Sequence, residues 1–355
     1  MPVIDTSGKI TGVMRRPKRI LLMRLGSLGD IVLCTPCIRV LSENLPGAHV
    51  VMLTERRFTP LFKYNPHIDK ILTFSREARW FSRSGMLDLV CRVWREFDCS
   101  IDLHHKFRTA LLGFLSGAEK RIGYRSVFSP FYTDSIPDDP SIHVAEAHLN
   151  LLRPLGIEVE KAPPVELHLS PEMTIWAEEK MLSRGIAQDR LRFGIFPGAG
   201  WESKRWRAER FAALADLAIE RSSAQVLIFV GPNERWIAER VSEAMSYEPI
   251  IFGDMSLLEL AALISRCDLF LSNDTGPMHI AAAVGVPTIG LFGPSDPTRF
   301  APFAPNCFAL KGDAPCSPCG DFKRCDGRRC MDAITVKRVW GKVEEICGRI
   351  SERYW

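Results

Sequence analysis

Residues 271–285, LSNDTGPMHIAAAVG, begin at the end of an apolar strand pattern and run into a helix pattern. Between the two patterns lies a short polar turn at residues 272–276. A helix that begins after such a turn presents backbone N–H groups at the positive end of its dipole, where anions bind. Pro277 suits the first turn of a helix because its missing N–H removes no hydrogen bond there. Asp274 or Thr275 can cap this helix, and capping would be the simplest role of the turn if it stood alone.

Strand and helix patterns alternate along the rest of the chain in two series. The first series starts with the apolar run RILLMR at residues 19–24, and the second starts near Leu191. The second series includes QVLIFV at residues 225–230 and PTIGLF at residues 287–292. Strands that alternate with helices predict a parallel sheet covered by helices on both faces. We therefore predict an α/β protein with two doubly wound units, joined near residues 157–190.

The composition limits the class of protein. The chain has 355 residues, of which 46% are hydrophobic and 25% charged, and this suits a globular protein with two domains. A net charge of +4 is too small for a general nucleic-acid-binding protein, so we expect no nucleic-acid partner. Arg24 interrupts the first apolar run, and no run approaches the length of a membrane span. We expect a cytoplasmic protein whose cysteines are mostly reduced.

Four polar or glycine-rich turns follow predicted strands. They lie at residues 25–30, 198–206, 231–234 and 272–276. In open α/β sheets, ligands bind outside the carboxyl ends of the strands, where these turns fall. Because the first turn belongs to one unit and the other three to the second, we expect the turns to meet in a cleft between the units.

The motifs in and around these turns are similar, in kind and in order, to those of a known enzyme family. They are GSLGD at residues 26–30, DLHHKFRTALLGFLSGAEKRIGY at 102–124, PGAGWESKRW at 197–206, GPNE at 231–234 and SNDTGPMHIAAAVGVPTIGLFGPSDP at 272–297. Over residues 19–345, the ordered set resembles glycosyltransferase family nine, the ADP-heptose:lipopolysaccharide heptosyltransferases.

The resemblance implies a GT-B fold, in which an N-terminal acceptor domain and a C-terminal nucleotide-sugar domain, both Rossmann-like, face each other across a cleft. On this basis we expect the acceptor domain at residues 18–170 and the nucleotide-sugar domain at 171–334. Residues 1–17 are expected to form a loose leader, and residues 335–355 a C-terminal helix that packs back toward the N-terminal domain. The resemblance also implies transfer with inversion at the sugar carbon and without a metal ion.

Asp30 and Lys204 are the candidate catalytic residues. Asp30 opens a predicted helix over residues 31–41, so it can serve as a helix cap or take the proton from an attacking acceptor hydroxyl. In the resembled family the matching aspartate is the proposed general base. Lys204 lies in a basic turn that can simply be solvated, or its ammonium group can stabilise a diphosphate leaving group. No D-x-D motif occurs in the chain, which agrees with cationic side chains in place of a metal ion.

The candidate nucleotide-sugar site combines the three turns of the second unit. Glu234 can accept a hydrogen bond from the ribose, as the resemblance implies, or serve only as an acidic residue in the first turn of a helix. Asp274 can orient Lys204 or the donor sugar, whereas His279 suits a packing role better than a catalytic one. The candidate donor-binding residues are Gly198, Lys204, Glu234, Asp274, Thr275, Gly276, Pro277 and His279.

A basic and aromatic stretch in the first unit is the candidate acceptor side. Such charged faces are usually only solvated, but arginine among aromatic residues also suits an anionic lipid or a phosphorylated sugar. The resemblance implies a lipopolysaccharide core acceptor, so we expect peripheral contact with the cytoplasmic face of the inner membrane. The stretch contains Arg76, Arg79, Trp80, Phe81, Arg83, Arg92, Trp94 and Arg95, and the candidate acceptor-binding residues are Gly29, Lys106, Arg108 and Arg125.

Four cysteines cluster in a loop at residues 316–330. Cys316, Cys319, Cys325 and Cys330 have the spacing C-x2-C-x5-C-x4-C and the ligand count of a tetrahedral zinc site. The second pair is spaced more loosely than in a standard zinc ribbon, and free thiols or a disulfide are the alternatives. We treat the four cysteines as a candidate structural zinc site and expect no cofactor in catalysis.

The leading hypothesis is an inverting, metal-independent glycosyltransferase that moves heptose from ADP-heptose to the lipopolysaccharide inner core. The first alternative is a related transferase with another nucleotide-sugar or another glycan acceptor. A nucleotide-sugar epimerase or dehydrogenase is less favoured, because no G-x-G-x-x-G motif follows either opening strand. A binding module built on the cysteine cluster would leave the two α/β units unexplained.

Overall fold

The N-terminal residues form a two-stranded antiparallel sheet. A computed structural model of the chain describes residues 2–4, 10–13, 16–74, 85–322, 325 and 327–350. β1 (Pro2–Ile4) pairs with β2 (Ile10–Val13). β-branched residues in both segments favour strands, and the loose leader that we expected over residues 1–17 stays a prediction.

Two parallel six-stranded sheets make up the frame of the molecule. Each sheet has the order 3-2-1-4-5-6 within its own series of strands, which is the order of a doubly wound nucleotide-binding fold. This architecture confirms the predicted α/β class with two Rossmann-like units. The first sheet consists of β3 (Arg19–Met23), β4 (His49–Glu55), β5 (Lys70–Phe74), β6 (Cys99–Asp102), β7 (Lys120–Tyr124) and β8 (Asp134–Ile136), and the second of β9 (Arg192–Phe196), β10 (Gln225–Phe229), β11 (Ile250–Phe252), β12 (Leu269–Asn273), β13 (Thr288–Phe292) and β14 (Cys307–Lys311).

Helices connect the strands, because neighbouring parallel strands can be joined only by long crossovers. In chain order they are α1 (Leu28–Leu33), α2 (Thr35–Asn44), α3 (Met86–Val93), α4 (Phe107–Leu115), α5 (Val144–Asn150), α6 (Pro171–Ser183), α7 (Ala208–Ser222), α8 (Arg235–Ala244), α9 (Leu257–Ile264), α10 (Gly276–Ala283), α11 (Pro297–Phe300), α12 (Arg329–Asp332) and α13 (Val336–Ile350). Short 3-10 helices lie at Arg56–Phe62, Ser129–Phe131, Arg153–Leu155 and Glu202–Lys204.

The helix that we predicted over residues 31–41 is in fact two helices. The first, α1, begins earlier, at Leu28, because the side chain of Ser27 caps it by accepting a backbone hydrogen bond. The chain then turns at Cys34, which is the C-cap of α1 and the N-cap of α2. Pro36 lies in the first turn of α2, where it supplies no N–H to continue the preceding helix.

The strand order determines where a ligand can bind. In each sheet the chain reverses its direction of winding between the first and fourth strands, β3 and β6 in one sheet and β9 and β12 in the other. A crevice forms outside the carboxyl ends of the strands at such a switch point. Because α1 follows β3 and α10 follows β12, each unit has a helix N-terminus at its own switch point.

The C-terminal helix α13 belongs to the second unit. Its apolar side chains Val339, Val343 and Ile346 are buried in the core formed by the second sheet and α7. Our expectation that this helix packs back toward the N-terminal domain is therefore wrong for its described residues, because its apolar face is already covered. α6 contacts α9 of the second unit, and the domain boundary between residues 170 and 171 stays a prediction. Among the described residues, no helix is both long and apolar enough to cross a membrane.

Candidate active site

The N-terminal ends of α1 and α10 pack against each other across the two units. A Cβ atom added at Gly29 would lie 2.7 Å from Cδ2 of His279, and one added at Gly276 would lie 2.5 Å from Cδ2 of Leu28. Both distances are far below van der Waals contact, so this close approach of the helices requires the two glycines. The contact brings the first turns of both helices to one cleft.

The cleft is lined by residues of both units. The first unit contributes the start of α1, and the second contributes the turns that follow β9 and β12. The structure thus brings together candidate residues that lie far apart in the chain. The predicted site residues in the lining are Gly29, Asp30, Lys204, Asp274, Thr275, Gly276 and His279, whereas Gly198, Glu234 and Pro277 lie outside it.

Two neighbours hold the Asp30 carboxylate in the cleft. Oδ1 lies 2.8 Å from a guanidinium nitrogen of Arg24, and Oδ2 accepts a hydrogen bond from the Ser27 hydroxyl at 2.9 Å. The Asp30 side chain remains 29% exposed, so an incoming hydroxyl group can reach it. The helix cap is Ser27 and not Asp30. The helix therefore does not need the Asp30 carboxylate as its cap, which leaves this group available as a proton acceptor.

Lys204 and Asp274 form an ion pair in the part of the cleft that belongs to the second unit. The ammonium nitrogen lies 2.6 Å from Oδ2 of Asp274, and the two side chains are only 17% and 9% exposed. The hydroxyl of Ser295 donates to the same carboxylate oxygen, and the Phe322 ring lies 4.4 Å from the ammonium nitrogen. These contacts hold a positive charge near the N-terminus of α10, where the helix dipole also attracts negative charge.

Asn273 ties the turn that carries Lys204 to the turn before α10. Its side-chain oxygen accepts a hydrogen bond from the Trp206 backbone N–H at 3.0 Å, and its side-chain nitrogen donates to the Pro197 carbonyl at 2.8 Å. Asn273 and Trp206 are buried, so these bonds are shielded from water. The relative placement of Lys204 and Asp274 is thereby fixed by the fold.

Neither of the two predicted capping side chains caps the N-terminus of α10. Thr275 has the N-cap position but makes no capping hydrogen bond with its side chain, and Asp274 is paired with Lys204. Pro277 lies in the first turn of the helix, as predicted. The side chains of Asp274 and Thr275 therefore leave the first backbone N–H groups of α10 without a cap. Such N–H groups can donate hydrogen bonds to a bound anion.

Glu234 lies against two glycines at the carboxyl ends of β9 and β10. A Cβ atom added at Gly198 would lie 2.4 Å from the Glu234 carboxylate, and one added at Gly231 would lie 2.8 Å from it. Burial raises the pKa of the Glu234 carboxyl, while Arg205 and the backbone N–H groups of Gly231 and Ala199 act to lower it. The turn thus fixes a half-buried carboxylate at the N-cap of α8, outside the lining of the cleft.

His279 packs between the two units. It is buried against Gly29, and its Nδ1 atom has no hydrogen-bond partner among the described residues. Burial lowers the pKa of His279 to about 4, although Asp274 opposes this effect. The ring is therefore neutral at pH 7, which fits a packing role.

The predicted acceptor residues lie on the first unit. Lys106 and Arg108 are exposed and line an apolar cavity together with the rings of Phe74, Phe107 and Phe128. Arg125 is exposed just after β7 and does not line this cavity, and Arg92, Trp94 and Arg95 are exposed on or just after α3. Arg76, Arg79, Trp80, Phe81 and Arg83 lie outside the described residues.

The cysteine cluster does not form a metal site in the described part of the chain. No three His, Cys, Asp or Glu side chains of that part come together as metal ligands would. The four cysteines form no disulfide; Cys316 and Cys319 are exposed, and Cys330 is buried. Burial raises the pKa of the Cys330 thiol. The candidate structural zinc site, which also included Cys325, is therefore not supported.

The sequence did not predict two side chains that contact the carboxylates of Asp30 and Asp274 in the cleft. Arg24 contacts Asp30, and Ser295 contacts Asp274. The signal for Arg24 was a charged residue at the end of an apolar strand pattern. Ser295 lies within the motif at residues 272–297, but nothing in that motif marks it as the partner of Asp274, 21 residues away.

Further contacts that the sequence did not predict link the two units beside the cleft. The Arg299 guanidinium of α11 donates to the Ile142 carbonyl at 3.1 Å and lies 3.1 Å from the Asp138 carboxylate. The His143 ring stacks on Phe303, with ring centroids 4.5 Å apart. These contacts join the loop before α5 of the first unit to the region after β13 of the second.

The chain matches known proteins of one family. The sequence profile of glycosyltransferase family 9 (heptosyltransferase) matches residues 88–326. The lipopolysaccharide core heptosyltransferase OpsX of Haemophilus influenzae is 27% identical over 296 residues, which cover 81% of this chain and 82% of that protein. The crystal structure of a family 9 glycosyl transferase from Veillonella parvula has a TM-score of 0.86 and 28% identity, over 94% of this chain and 98% of that one. The Escherichia coli heptosyltransferase WaaC with ADP shares the fold, with a TM-score of 0.72 and 19% identity over 92% of this chain and 99% of that one.

The profile covers most of the chain, and the Veillonella structure matches nearly all of it. These matches confirm the family that the motifs predicted. The chain therefore belongs to glycosyltransferase family 9 and is a glycosyltransferase.

Proposed function

We propose that this enzyme moves heptose from ADP-heptose to a hydroxyl group of the lipopolysaccharide inner core, with inversion at the transferred carbon and without a metal ion. The observation that carries the proposal is the placement of Asp30 and Lys204 in one cleft, one residue on each unit. The choice of substrates is supported by the family description, by the name of OpsX and by the ADP complex of WaaC.

In the proposed reaction, the acceptor hydroxyl approaches from the first unit and gives its proton to the Asp30 carboxylate. The hydroxyl oxygen forms a bond to the anomeric carbon of heptose while the bond from that carbon to the phosphate oxygen breaks. The bonding electrons leave with ADP, so the products are the new glycoside, ADP and a proton. Attack on the side opposite the leaving group inverts the carbon. A general base of this kind contributes about 10²–10⁴-fold to the rate.

The second unit supplies positive charge to the leaving group. Lys204 is held by Asp274 near the N-terminus of α10, so the ammonium group is in place before the substrate binds. As the bond to heptose breaks, negative charge grows on the ADP phosphate, and preorganised charges and N–H dipoles stabilise it. A lysine and a helix N-terminus can thus do what a magnesium ion does in transferases that carry a D-x-D motif.

The first unit is proposed to lie against the membrane surface that carries the acceptor. Phe107, Phe114 and Val127 are 46%, 48% and 84% exposed, and the rings of Phe107 and Phe114 both contact the Phe131 ring. Arg121 lies over the Phe114 ring, and Arg108 is exposed beside Phe107. Apolar side chains next to arginine suit the boundary between acyl chains and anionic headgroups. This supports peripheral contact with the cytoplasmic face of the inner membrane.

Heptose transfer from ADP-heptose to lipopolysaccharide from cells that lack core heptose tests the proposal. A thermal unfolding screen with ADP, UDP and GDP should show the largest increase with ADP, because a ligand that binds only the folded protein stabilises it by mass action. If transfer occurs only from another nucleotide-sugar, or only to another glycan, the related transferase named above as an alternative replaces this proposal.

A further inference from the structure

The cysteine-containing loop after β14 is held against the segment that follows β13. The backbone N–H groups of Cys319 and Gly320 donate to the Pro294 carbonyl at 3.1 and 2.9 Å. The next residue along the chain is Ser295, whose hydroxyl donates to the carboxylate of Asp274. The loop is thus attached one residue away from a group that holds the Asp274 carboxylate in the cleft.

A second attachment joins the same loop to the turn that carries Lys204. The Ser203 hydroxyl donates to the backbone carbonyl of Phe322 at 2.9 Å. Ser203 is buried and directly precedes Lys204 in the 3-10 helix Glu202–Lys204, so this bond is shielded from water. It places Phe322 beside Lys204, and the Phe322 side chain becomes part of the lining of the cleft.

The Phe322 ring covers one side of the Lys204 ammonium group. The ammonium nitrogen lies over the ring, 4.4 Å from its centroid. A cation is attracted to an aromatic face within about 6 Å of the centroid, and the attraction is stronger where water is excluded. Because the Lys204 side chain is only 17% exposed, the contact is of the stronger kind.

The ring fixes the ammonium group without neutralising its charge. An ammonium group has three N–H donors, and one of those of Lys204 donates to Oδ2 of Asp274 at 2.6 Å. Among the residues that the structure describes, Asp274 is the sole hydrogen-bond acceptor for this nitrogen. An aromatic face attracts a cation but has no net charge, whereas a second carboxylate at the position of the Phe322 ring would cancel the charge that a diphosphate needs.

We propose that Phe322 is a positioning residue for Lys204, and that the cysteine-containing loop serves the transfer reaction by placing this ring. A lysine side chain has a flexible stem and a strongly hydrated head, so without the ring the ammonium group gains water and other orientations. With the ring, the charge stays aimed at the place where negative charge develops on the leaving group, which is where preorganised charge stabilises a transition state. The proposal rests on the proposed function, in which Lys204 stabilises the departing ADP.

Phe322→Leu and Phe322→Tyr form a matched pair for the test. Leucine keeps an apolar side chain but has no ring, whereas tyrosine keeps the ring face. We expect kcat/KM for heptose transfer to fall by about twofold to thirtyfold in Phe322→Leu and to recover most of this loss in Phe322→Tyr. Phe308→Leu is the control, because Lys342 lies 4.5 Å from the centroid of the Phe308 ring and neither residue lines the cleft. It removes a contact of the same kind and should keep the wild-type kcat/KM, and an equal loss in Phe308→Leu and Phe322→Leu would overturn the proposal.

A double-mutant cycle shows whether the ring acts through the ammonium group. When Lys204 is already alanine, Phe322→Leu should change kcat/KM by less than about twofold, because the cation that the ring holds is gone. A ring that contacts the sugar, or that only keeps the loop folded, would lower kcat/KM by the same factor in both backgrounds, and that result contradicts the proposal. Phenylalanine analogues with an increasing number of ring fluorines at position 322 change the electron density of the ring face more than its size. With them kcat/KM should fall as fluorines are added, and the absence of a trend would also contradict the proposal.

A binding measurement separates this proposal from the proposed function. Calorimetric titration with ADP requires neither an acceptor nor transfer of heptose. The Kd for ADP should rise in Phe322→Leu and stay near the wild-type value in Phe322→Tyr, because only the first variant releases the ammonium group that faces the diphosphate. Equal Kd values in the two variants and the wild type would overturn the positioning role of the ring. The expected rise of Kd in an enzyme that transfers no heptose overturns the proposed function and leaves the positioning of Lys204 by Phe322 in place.

Discussion

Replacing Gly29 by alanine tests whether the contact between α1 and α10 sets the geometry of the cleft. Gly29 lies in the first turn of α1, next to Asp30, and faces the His279 ring of the other unit. An added Cβ atom would lie 2.7 Å from Cδ2 and 3.1 Å from Nε2 of that ring. The His279 ring is buried and lines the cleft, so the open space beside it belongs to the cleft. The new methyl group therefore separates the two units, displaces the turn that carries Asp30 or pushes the His279 ring into the cleft.

The clash gives the expected size of the effect. Overpacking of this kind costs about 1–3 kcal/mol. If the clash destabilises the arrangement in which both units form the cleft by this free energy, the population of that arrangement drops by a factor of about 5 to 150. We expect kcat/KM to fall by a factor in this range. The affinity for ADP should change less than kcat/KM, because the three atoms nearest to the added Cβ atom all belong to His279 and none to Lys204 or Asp274.

Gly341→Ala is the matched control. Gly341 lies within α13, and an added Cβ atom there would meet no atom within 4 Å. Alanine is favoured over glycine inside a helix by up to about 1 kcal/mol, so this variant should keep the wild-type kcat/KM and unfold at an equal or higher temperature. Both variants are compared by steady-state heptose transfer, calorimetric titration with ADP and thermal unfolding. Wild-type kcat/KM in Gly29→Ala would refute the view that the helix contact sets the site.

Lys204→Ala should lower kcat/KM by about 10²–10³-fold and weaken ADP binding, because it removes the charge beside the diphosphate and leaves Asp274 buried without its cation. Steady-state kinetics and calorimetry check this, and unchanged values of both would place the diphosphate on another turn. Dialysis against EDTA should leave the rate of heptose transfer unchanged, whereas a loss of activity that Mg²⁺ or Mn²⁺ restores would contradict the metal-independent mechanism. Phe114→Ser and Val127→Ser should each reduce cosedimentation with vesicles of anionic phospholipid, while Leu182→Ser, an exposed site on the second unit, should not. Equal binding by all three variants would argue against a membrane contact of the first unit.

The centre of each sheet was easier to predict from the sequence than its flanks. The apolar runs at residues 19–24, 225–230 and 287–292 correspond to β3, β10 and β13, because inner strands of a parallel sheet are buried on both faces. The strands β7 and β14 were not predicted, since they are partly exposed and contain lysine. The position of α13 was predicted wrongly, because an amphipathic pattern shows that one face is covered but not which unit covers it.

The candidate site was predictable where it lies in turns after strands. Asp30, Lys204 and Asp274 lie in such turns, and the doubly wound topology brings the ends of their strands to one cleft. Arg24 and Ser295 were not predicted as site residues, because their contacts with Asp30 and Asp274 belong to no recognised motif. No local spacing marks such contacts, so only the folded structure shows them.

Asp30→Asn is the decisive variant for the proposed mechanism. Asparagine has nearly the size of aspartate and can still contact Arg24 and Ser27, but it cannot accept a proton at neutral pH. The measurement is the steady-state rate of heptose transfer by Asp30→Asn, together with its calorimetric affinity for ADP. We predict a loss of kcat of at least about 10²–10⁴-fold with ADP affinity close to that of the wild type. Wild-type turnover in Asp30→Asn would contradict the mechanism and show that the general base lies elsewhere.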